Sequence, residues 1–118
     1  MRGMRGVVVL RAALVAVALL AACAGDALAW KRGQVIRVKA TAFSDRGTTF
    51  TGRPTGRGIC AVDPKVIPLG TEFFVEGYGP CIAADIGSAV IGRMIDVWVR
   101  NDRIARRWGI RTVRIRFL

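Results

Sequence analysis

Residues 85–99 read DIGSAVIGRMIDVWV: a carboxylate, a Gly/Ser turn, and then an apolar run that contains a second carboxylate. Strand alternation places Asp96 and Trp98 on one face of this run and its aliphatic residues on the other. An acid within such a run must face outward or occupy a polar pocket. A carboxylate beside an aromatic ring suits carbohydrate chemistry, so this strand is the first candidate for a functional site.

The start of the chain has the organisation of a targeting segment. Residues 1–5 are basic, and residues 12–22 (AALVAVALLAA) are apolar but shorter than the roughly 20 residues that a membrane-spanning helix needs. We favour a signal peptide at residues 1–29 with cleavage after Ala29; the alternative is a lipobox that leaves a lipid anchor on Cys23. Either route predicts an exported protein of the periplasm or cell envelope, membrane-anchored in the second case.

Charge and export together restrict the partners. The chain has 19 Lys and Arg against 8 Asp and Glu, a net charge of +11. In a cytoplasmic protein this excess would suggest nucleic acid. Export and the even spread of the basic residues argue against nucleic acid and favour anionic envelope polymers or a membrane surface. A basic surface that serves solubility alone is the alternative.

The cysteine and histidine content limits the kinds of catalytic and metal site that the chain can form. Export leaves Cys60 and Cys81 as a pair in an oxidising compartment, which favours a disulfide over two buried thiols. The chain contains no histidine, so a Ser-His-Asp triad and a His-ligated zinc site are excluded. No metal or cofactor is expected. Acid–base chemistry then depends on a small set: Asp45, Asp63, Glu72, Glu76, Asp85, Asp96, Asp102 and Tyr78.

Hydrophobic patterning predicts a small closed β-structure, most simply a barrel. The expected strands cover residues 34–43, 58–62, 71–76, 81–84, 95–99 and 110–118. Residues 44–57 are predicted to form a long loop, and 103–108 a short helix that begins after Asn101 and ends at Gly109. Residues 66–75 weakly resemble 90–99, which would fit two related halves.

Six short motifs resemble one known family, the three-aspartate (3D) domain, which is shared with membrane-bound lytic murein transglycosylase A and with stationary-phase survival and resuscitation-type proteins. They are ATAF at 40–43, TG at 51–52, AVDPKVIPLGT at 61–71, GYG at 77–79, ADIG at 84–87 and RMIDV at 93–97. The resemblance covers residues 37–118, with 30–36 as a short lead-in. It implies a mainly β fold, a six-stranded double-psi β-barrel with one short helix near the C-terminus. We expect a monomer.

The resemblance also implies an activity, cleavage of peptidoglycan glycan strands without water, which leaves 1,6-anhydro-muramyl ends. The family's three aspartates correspond to Asp63, Asp85 and Asp96. Asp96 would be the acid/base, because burial and a neighbouring carboxylate both raise a carboxyl pKa; Asp85 would stay ionised and stabilise an oxocarbenium-like transition state. Asp63 precedes a proline and equally suits a capping role. Substrate contacts are expected from Thr51, Gly87, Ser88 and Trp98.

Residues 85–92 depart from the usual family pattern DTGGAIKG. Ile86 and Ile91 replace a hydroxyl and a cation, and Ser88 replaces a glycine. Two alternatives to a lytic transglycosylase therefore remain open. One is a non-catalytic, expansin-like barrel that binds cell-wall glycan. The other is a basic envelope protein that uses the barrel only as an interaction surface.

Overall fold

A computed structural model describes residues 30–118, so the predicted signal peptide and Cys23 lie outside the described residues. The strands are β1 (Val35–Phe43), β2 (Ile59–Val62), β3 (Glu72–Val75), β4 (Gly79–Asp85), β5 (Met94–Trp98) and β6 (Arg111–Phe117), and the helix α1 (Asp102–Trp108) lies between β5 and β6. Within residues 30–118 no helix is long and apolar enough to cross a membrane.

The six strands close into a barrel in the order β1-β5-β2-β4-β3-β6. The pairs β1/β5 and β2/β4 are parallel, and the other four pairs are antiparallel. The expectation of a mainly β, six-stranded barrel with one short helix near the C-terminus is therefore confirmed. Exchanging β1 with β4, β2 with β5 and β3 with β6 leaves the same strands as neighbours around the barrel. The topology therefore has a pseudo-two-fold symmetry.

The internal sequence echo does not follow this symmetry. It aligns residues 66–75 with 90–99 and so matches β3 to β5, whereas the topology relates β2 to β5. The echo reflects a shared apolar pattern, because both segments contain a short strand with one buried face.

Alternation along the strands fills the barrel interior as predicted. In β6 Val113, Ile115 and Phe117 are buried while the arginines between them are exposed. In β5 Ile95 and Val97 are fully buried in the main core. Because successive strand residues point to opposite sides, Asp96 must lie on the outer wall of the barrel.

Local features at the strand ends agree with the sequence, with small shifts in the boundaries. The Asn101 side chain accepts a hydrogen bond from the Ile104 N–H at 2.9 Å and caps α1, and Gly109 ends the helix with φ 65°. β4 begins at Gly79 instead of the predicted residue 81, because Gly79 already pairs with Val75 of β3.

A disulfide joins Cys60 of β2 to Cys81 of β4, with a Cα–Cα distance of 6.0 Å. Both cysteines are buried in the main core. The predicted bridge is confirmed, and it links the two parallel strands that lead to Asp63 and Asp85.

Candidate functional site

The strand register places two carboxylates close together on the outer wall of the barrel. Asp96 in β5 pairs with Thr41 of β1 on one side and with Ala61 of β2 on the other. A register shift between Cys60 and Ala61 makes Asp85, and not the preceding residue, the β4 partner of Ala61. Bulges of this kind commonly redirect a side chain near a functional site. Two acids therefore flank one small alanine, separated by roughly two strand spacings, about 10 Å between their backbones.

A cavity of about 300 Å³ lies over Asp96, Ala61 and Asp85. The loop after β1 forms one wall and brings a third carboxylate, Asp45; the loop after β4 forms the other wall. The lining residues are Phe43, Asp45, Arg46, Gly47, Thr48, Thr55, Ala61, Asp85, Ile86, Gly87, Val90 and Asp96. The cavity thus combines three acids with a single arginine.

Asp96 is partly buried at the floor of this cavity. Burial raises the pKa of its carboxyl group, and the negative charges of Asp45 and Asp85 raise it further. The Thr41 hydroxyl, which donates a hydrogen bond to Asp96 Oδ1 at 3.0 Å, opposes this shift without cancelling it. A carboxyl group with a raised pKa can hold a proton closer to neutral pH and donate it to a substrate.

Asp85 has a different environment. Its Oδ1 accepts hydrogen bonds from the Phe50 N–H and the Ile86 N–H, both at 3.0 Å. The first of these bonds fastens the long loop after β1 to the end of β4. Asp85 therefore positions a cavity wall while it contributes negative charge beside Asp96.

Asp63, the third predicted aspartate, lies apart from the cavity. Its Oδ1 accepts a hydrogen bond from the Lys65 N–H at 3.0 Å, and its Oδ2 accepts one from the Gly92 N–H at 2.7 Å. The Gly92 and Lys65 hydrogen bonds hold the pKa of Asp63 below its usual value. The carboxylate ties the turn after β2 to the chain just before β5, so it supports the strand that carries Asp96.

The four predicted substrate contacts occupy different places. Gly87 lines the cavity, and Ser88 is solvent-exposed in the same loop. The Thr51 hydroxyl donates to the Ala84 carbonyl at 2.9 Å, which fastens the loop after β1. The ring N–H of Trp98 donates to the Asp45 carbonyl at 3.0 Å, and Trp98 lines a separate cavity. Contact between these side chains and substrate stays a prediction.

Thr41 and Asp45 adjoin Asp96 but were not predicted as site residues, although Asp45 was among the possible acid–base groups. Thr41 lies within the ATAF motif and, by alternation, on the outer face of β1, so its position could have been found. Asp45 lies in an irregular loop, where no periodic pattern shows which way a side chain points. Only the folded loop brings the Asp45 charge beside Asp96.

A six-stranded barrel with aspartates at the ends of β2 and β4 and within β5 has the features of a three-aspartate domain. The sequence model of the 3D domain matches residues 59–118, and the chain belongs to this family. Two Bacillus subtilis (strain 168) relatives are similar: YabE, a candidate cell wall shaping protein, is 45% identical over 96 residues, 73% of this chain. The cell wall-binding protein YocH is 41% identical over 92 residues, 70% of this chain. The matched region spans only 23% of YabE and 32% of YocH.

A solved structure supports the same architecture. The Streptomyces papain inhibitor superposes with a TM-score of 0.52 over 76% of this chain and 99% of that chain. At 19% identity the likeness concerns the fold alone.

Proposed function

We propose that this chain is an exported cell-wall protein that cleaves peptidoglycan glycan strands between MurNAc and GlcNAc by lytic transglycosylation. The observation that carries the proposal is the partly buried Asp96, whose pKa is raised, beside a second carboxylate in an open cavity of about 300 Å³. The family and the names of the two relatives support the cell wall as the place of action.

The reaction needs one group that first donates a proton and then accepts one. Protonated Asp96 would donate its proton to the glycosidic oxygen as the bond to C1 of the MurNAc breaks. The Asp85 carboxylate would stabilise the positive charge that develops at C1. The Asp96 carboxylate would then take the proton of the C6 hydroxyl while O6 bonds to C1. This closes the 1,6-anhydro ring and returns Asp96 to its starting state.

The surroundings of Asp96 suit this double role. Thr41 holds Oδ1 by a hydrogen bond, which fixes the orientation of the carboxyl group and leaves Oδ2 to exchange the proton with substrate. Asp63 would act at a distance, by holding the chain before β5 through Gly92.

Binding of glycan without cleavage is the second candidate. Apolar side chains in the loops that border the cavity favour it: Phe50 is 66% exposed, Ile86 38% and Ile91 67%. Such side chains can pack against the apolar faces of sugars without contributing to chemistry. The name of YocH, a cell wall-binding protein, is consistent with this alternative.

The test is the release of anhydro-muropeptides from purified sacculi by the parent chain and by Asp96→Asn. General acid catalysis is typically worth about 10²- to 10⁴-fold, so we expect at least a 100-fold loss in turnover. Asp85→Asn should lose less, because it removes charge and not the proton donor. Glu72→Gln, which changes an exposed carboxylate, is the matched control. Parental turnover by folded Asp96→Asn would refute the mechanism, and binding of sacculi without any product from the parent would establish the binding alternative.

A further inference from the structure

A second cavity lies beside the acid cavity on the same side of the barrel. It has a volume of about 340 Å³ and is lined by Arg57, Trp98, Val99, Arg100 and Ile104. Trp98 follows Asp96 by two residues, so both side chains project from the same face of β5. At about 3.3 Å per strand residue, their backbones are roughly 7 Å apart.

One short segment, residues 43–45, separates the two cavities. Phe43 and Asp45 line the acid cavity. From the other side, the Val99 N–H donates to the Phe43 carbonyl at 2.8 Å and the Trp98 ring N–H donates to the Asp45 carbonyl at 3.0 Å. Residues that line the second cavity are therefore hydrogen-bonded to residues that line the acid cavity. The two cavities are neighbours, and a branched ligand could occupy both.

The walls of the second cavity are apolar, and its rim is cationic. Trp98, Val99 and Ile104 form the apolar surface, while the exposed side chains of Arg57 and Arg100 flank it. Within residues 30–118 the one ion pair is Arg114–Glu76, so neither rim arginine is paired with a carboxylate there. Arg57 is held in place, because its guanidinium group lies 3.9 Å from the centre of the Tyr78 ring and donates to the Tyr78 carbonyl.

This combination selects a ligand with small apolar groups and free carboxylates. Guanidinium groups bind carboxylates through paired N–H donors, and an apolar wall accepts methyl groups. A peptide with alternating small side chains and acidic groups has both features. A glycan strand without peptides keeps only the lactyl carboxylate and methyl group on each muramyl ring, and it lacks the further carboxylates and side chains that a peptide would carry into the second cavity.

We propose that the second cavity binds the acidic peptide carried by the muramyl residue whose sugar occupies the acid cavity. This rests on the proposed function, and it assigns substrate selectivity to Arg100, Arg57 and Trp98. Two to three extended peptide residues cover about 7–10 Å, which is enough to reach from one cavity to the other. The chain would thus prefer peptide-bearing peptidoglycan to glycan without peptides.

The test compares three ligands by NMR titration of the full chain. They are a disaccharide-peptide with free carboxylates, the same molecule with amidated peptide carboxylates, and the disaccharide alone with its lactyl carboxylate capped as a simple amide. We expect the first to bind about 10-fold more tightly than the third, in line with two solvent-exposed arginine–carboxylate pairs. Amidation should abolish most of this difference. The indole N–H signal of Trp98 should shift only with the peptide-bearing ligands.

Arg100→Gln tests the rim. An exposed charge pair is worth up to about 1 kcal/mol, so affinity for the acidic ligand should fall roughly 3- to 5-fold, with no change for the bare disaccharide. Arg100→Glu should weaken acidic binding further. Arg37→Gln, which removes the same charge from the exposed face of β1, should leave both affinities unchanged.

Equal binding of all three ligands, or equal losses in Arg100→Gln and Arg37→Gln, would overturn the inference. Failure of the peptide site can be distinguished from failure of the proposed enzymatic function. Cleavage of peptide-free glycan at the rate of peptide-bearing glycan would leave the transglycosylase in place and remove the peptide site. Preferential binding of the acidic ligand without any cleavage would retain the peptide site and remove the enzyme.

Discussion

Replacing Asp96 by Asn should make the folded protein more stable near neutral pH, even though it removes the proposed catalytic group. Burial raises the pKa of Asp96 in the folded state. At pH values above the unfolded pKa, near 3.8, the unfolded chain is ionised, and the folded state must either keep the proton or bear a poorly solvated charge. The folded state of the parent therefore loses stability as pH rises from the unfolded pKa through the higher folded pKa of Asp96. Asn has nearly the same shape and no charge, so it does not incur this loss.

The size of the gain follows from the partial burial of the side chain. Asp96 is accessible from the cavity, so solvent screens much of the penalty, and about 0.5–1 kcal/mol is expected. For a domain of this size that corresponds to a rise in Tm of roughly 2–8 °C. The Thr41 hydroxyl can still bond to the Asn side chain, since it can donate to the amide oxygen at the position of Oδ1. Removing the repulsion from Asp45 and Asp85 acts in the same direction.

Thermal melts of the parent and Asp96→Asn at about pH 3 and about pH 7 measure this effect. The Tm difference should be small at the lower pH, where Asp96 is largely protonated in both states, and should grow as pH rises. Glu72→Gln, at an exposed strand position, should show no comparable gain. A lower Tm for Asp96→Asn at neutral pH, or an equal rise at both pH values, would refute desolvation as the cause.

Three further predictions test other features of the molecule. Reduction of the Cys60–Cys81 disulfide, with a sequence separation of 21, should lower the free energy of unfolding by about 3 kcal/mol and Tm by roughly 15 °C; unchanged melting in reductant would contradict this. Asp63→Asn should lower Tm, because an amide N–H₂ cannot accept the Gly92 hydrogen bond, while folded molecules keep most of their activity. The pKa of Asp63 is lowered in the folded parent. Its stabilising effect should therefore be present above pH 3.8 and disappear as pH falls through its folded pKa. Binding to sacculi should weaken as salt is added, because exposed Arg–anion contacts are screened over about 8 Å at physiological ionic strength; salt-independent binding would assign affinity to uncharged contacts.

Much of the fold could be predicted from local patterns. Alternation of apolar residues gave the strands and their buried faces, as in Val113, Ile115 and Phe117 of β6. Asn101 and Gly109 marked the ends of the helix because capping depends on side chains and backbone geometry within one turn. The same alternation placed Asp96 on the face opposite the core.

The arrangement of the site was less accessible, because it depends on contacts between distant segments. No local pattern reveals the register shift that sets Asp85 opposite Ala61. Trp98 lines a cavity other than that of Asp96, and the hydrogen bond that holds its ring joins it to the Asp45 carbonyl, 53 positions away in the chain.

The three aspartates differ in how much of their position could be predicted from local sequence. Local sequence was enough to place Asp96 as an outward-facing acid in an apolar strand, because side chains along a strand alternate in direction with a period of two residues. The folded barrel was needed to show that Asp85 lines the same cavity as Asp96, whereas the Asp63 carboxylate accepts hydrogen bonds from the Gly92 and Lys65 N–H groups elsewhere. The strand order of the closed barrel, and not the sequence spacing of the residues, sets which carboxylates share a cavity. The raised pKa of Asp96 depends on that shared environment, because the charges of Asp45 and Asp85 act on it there.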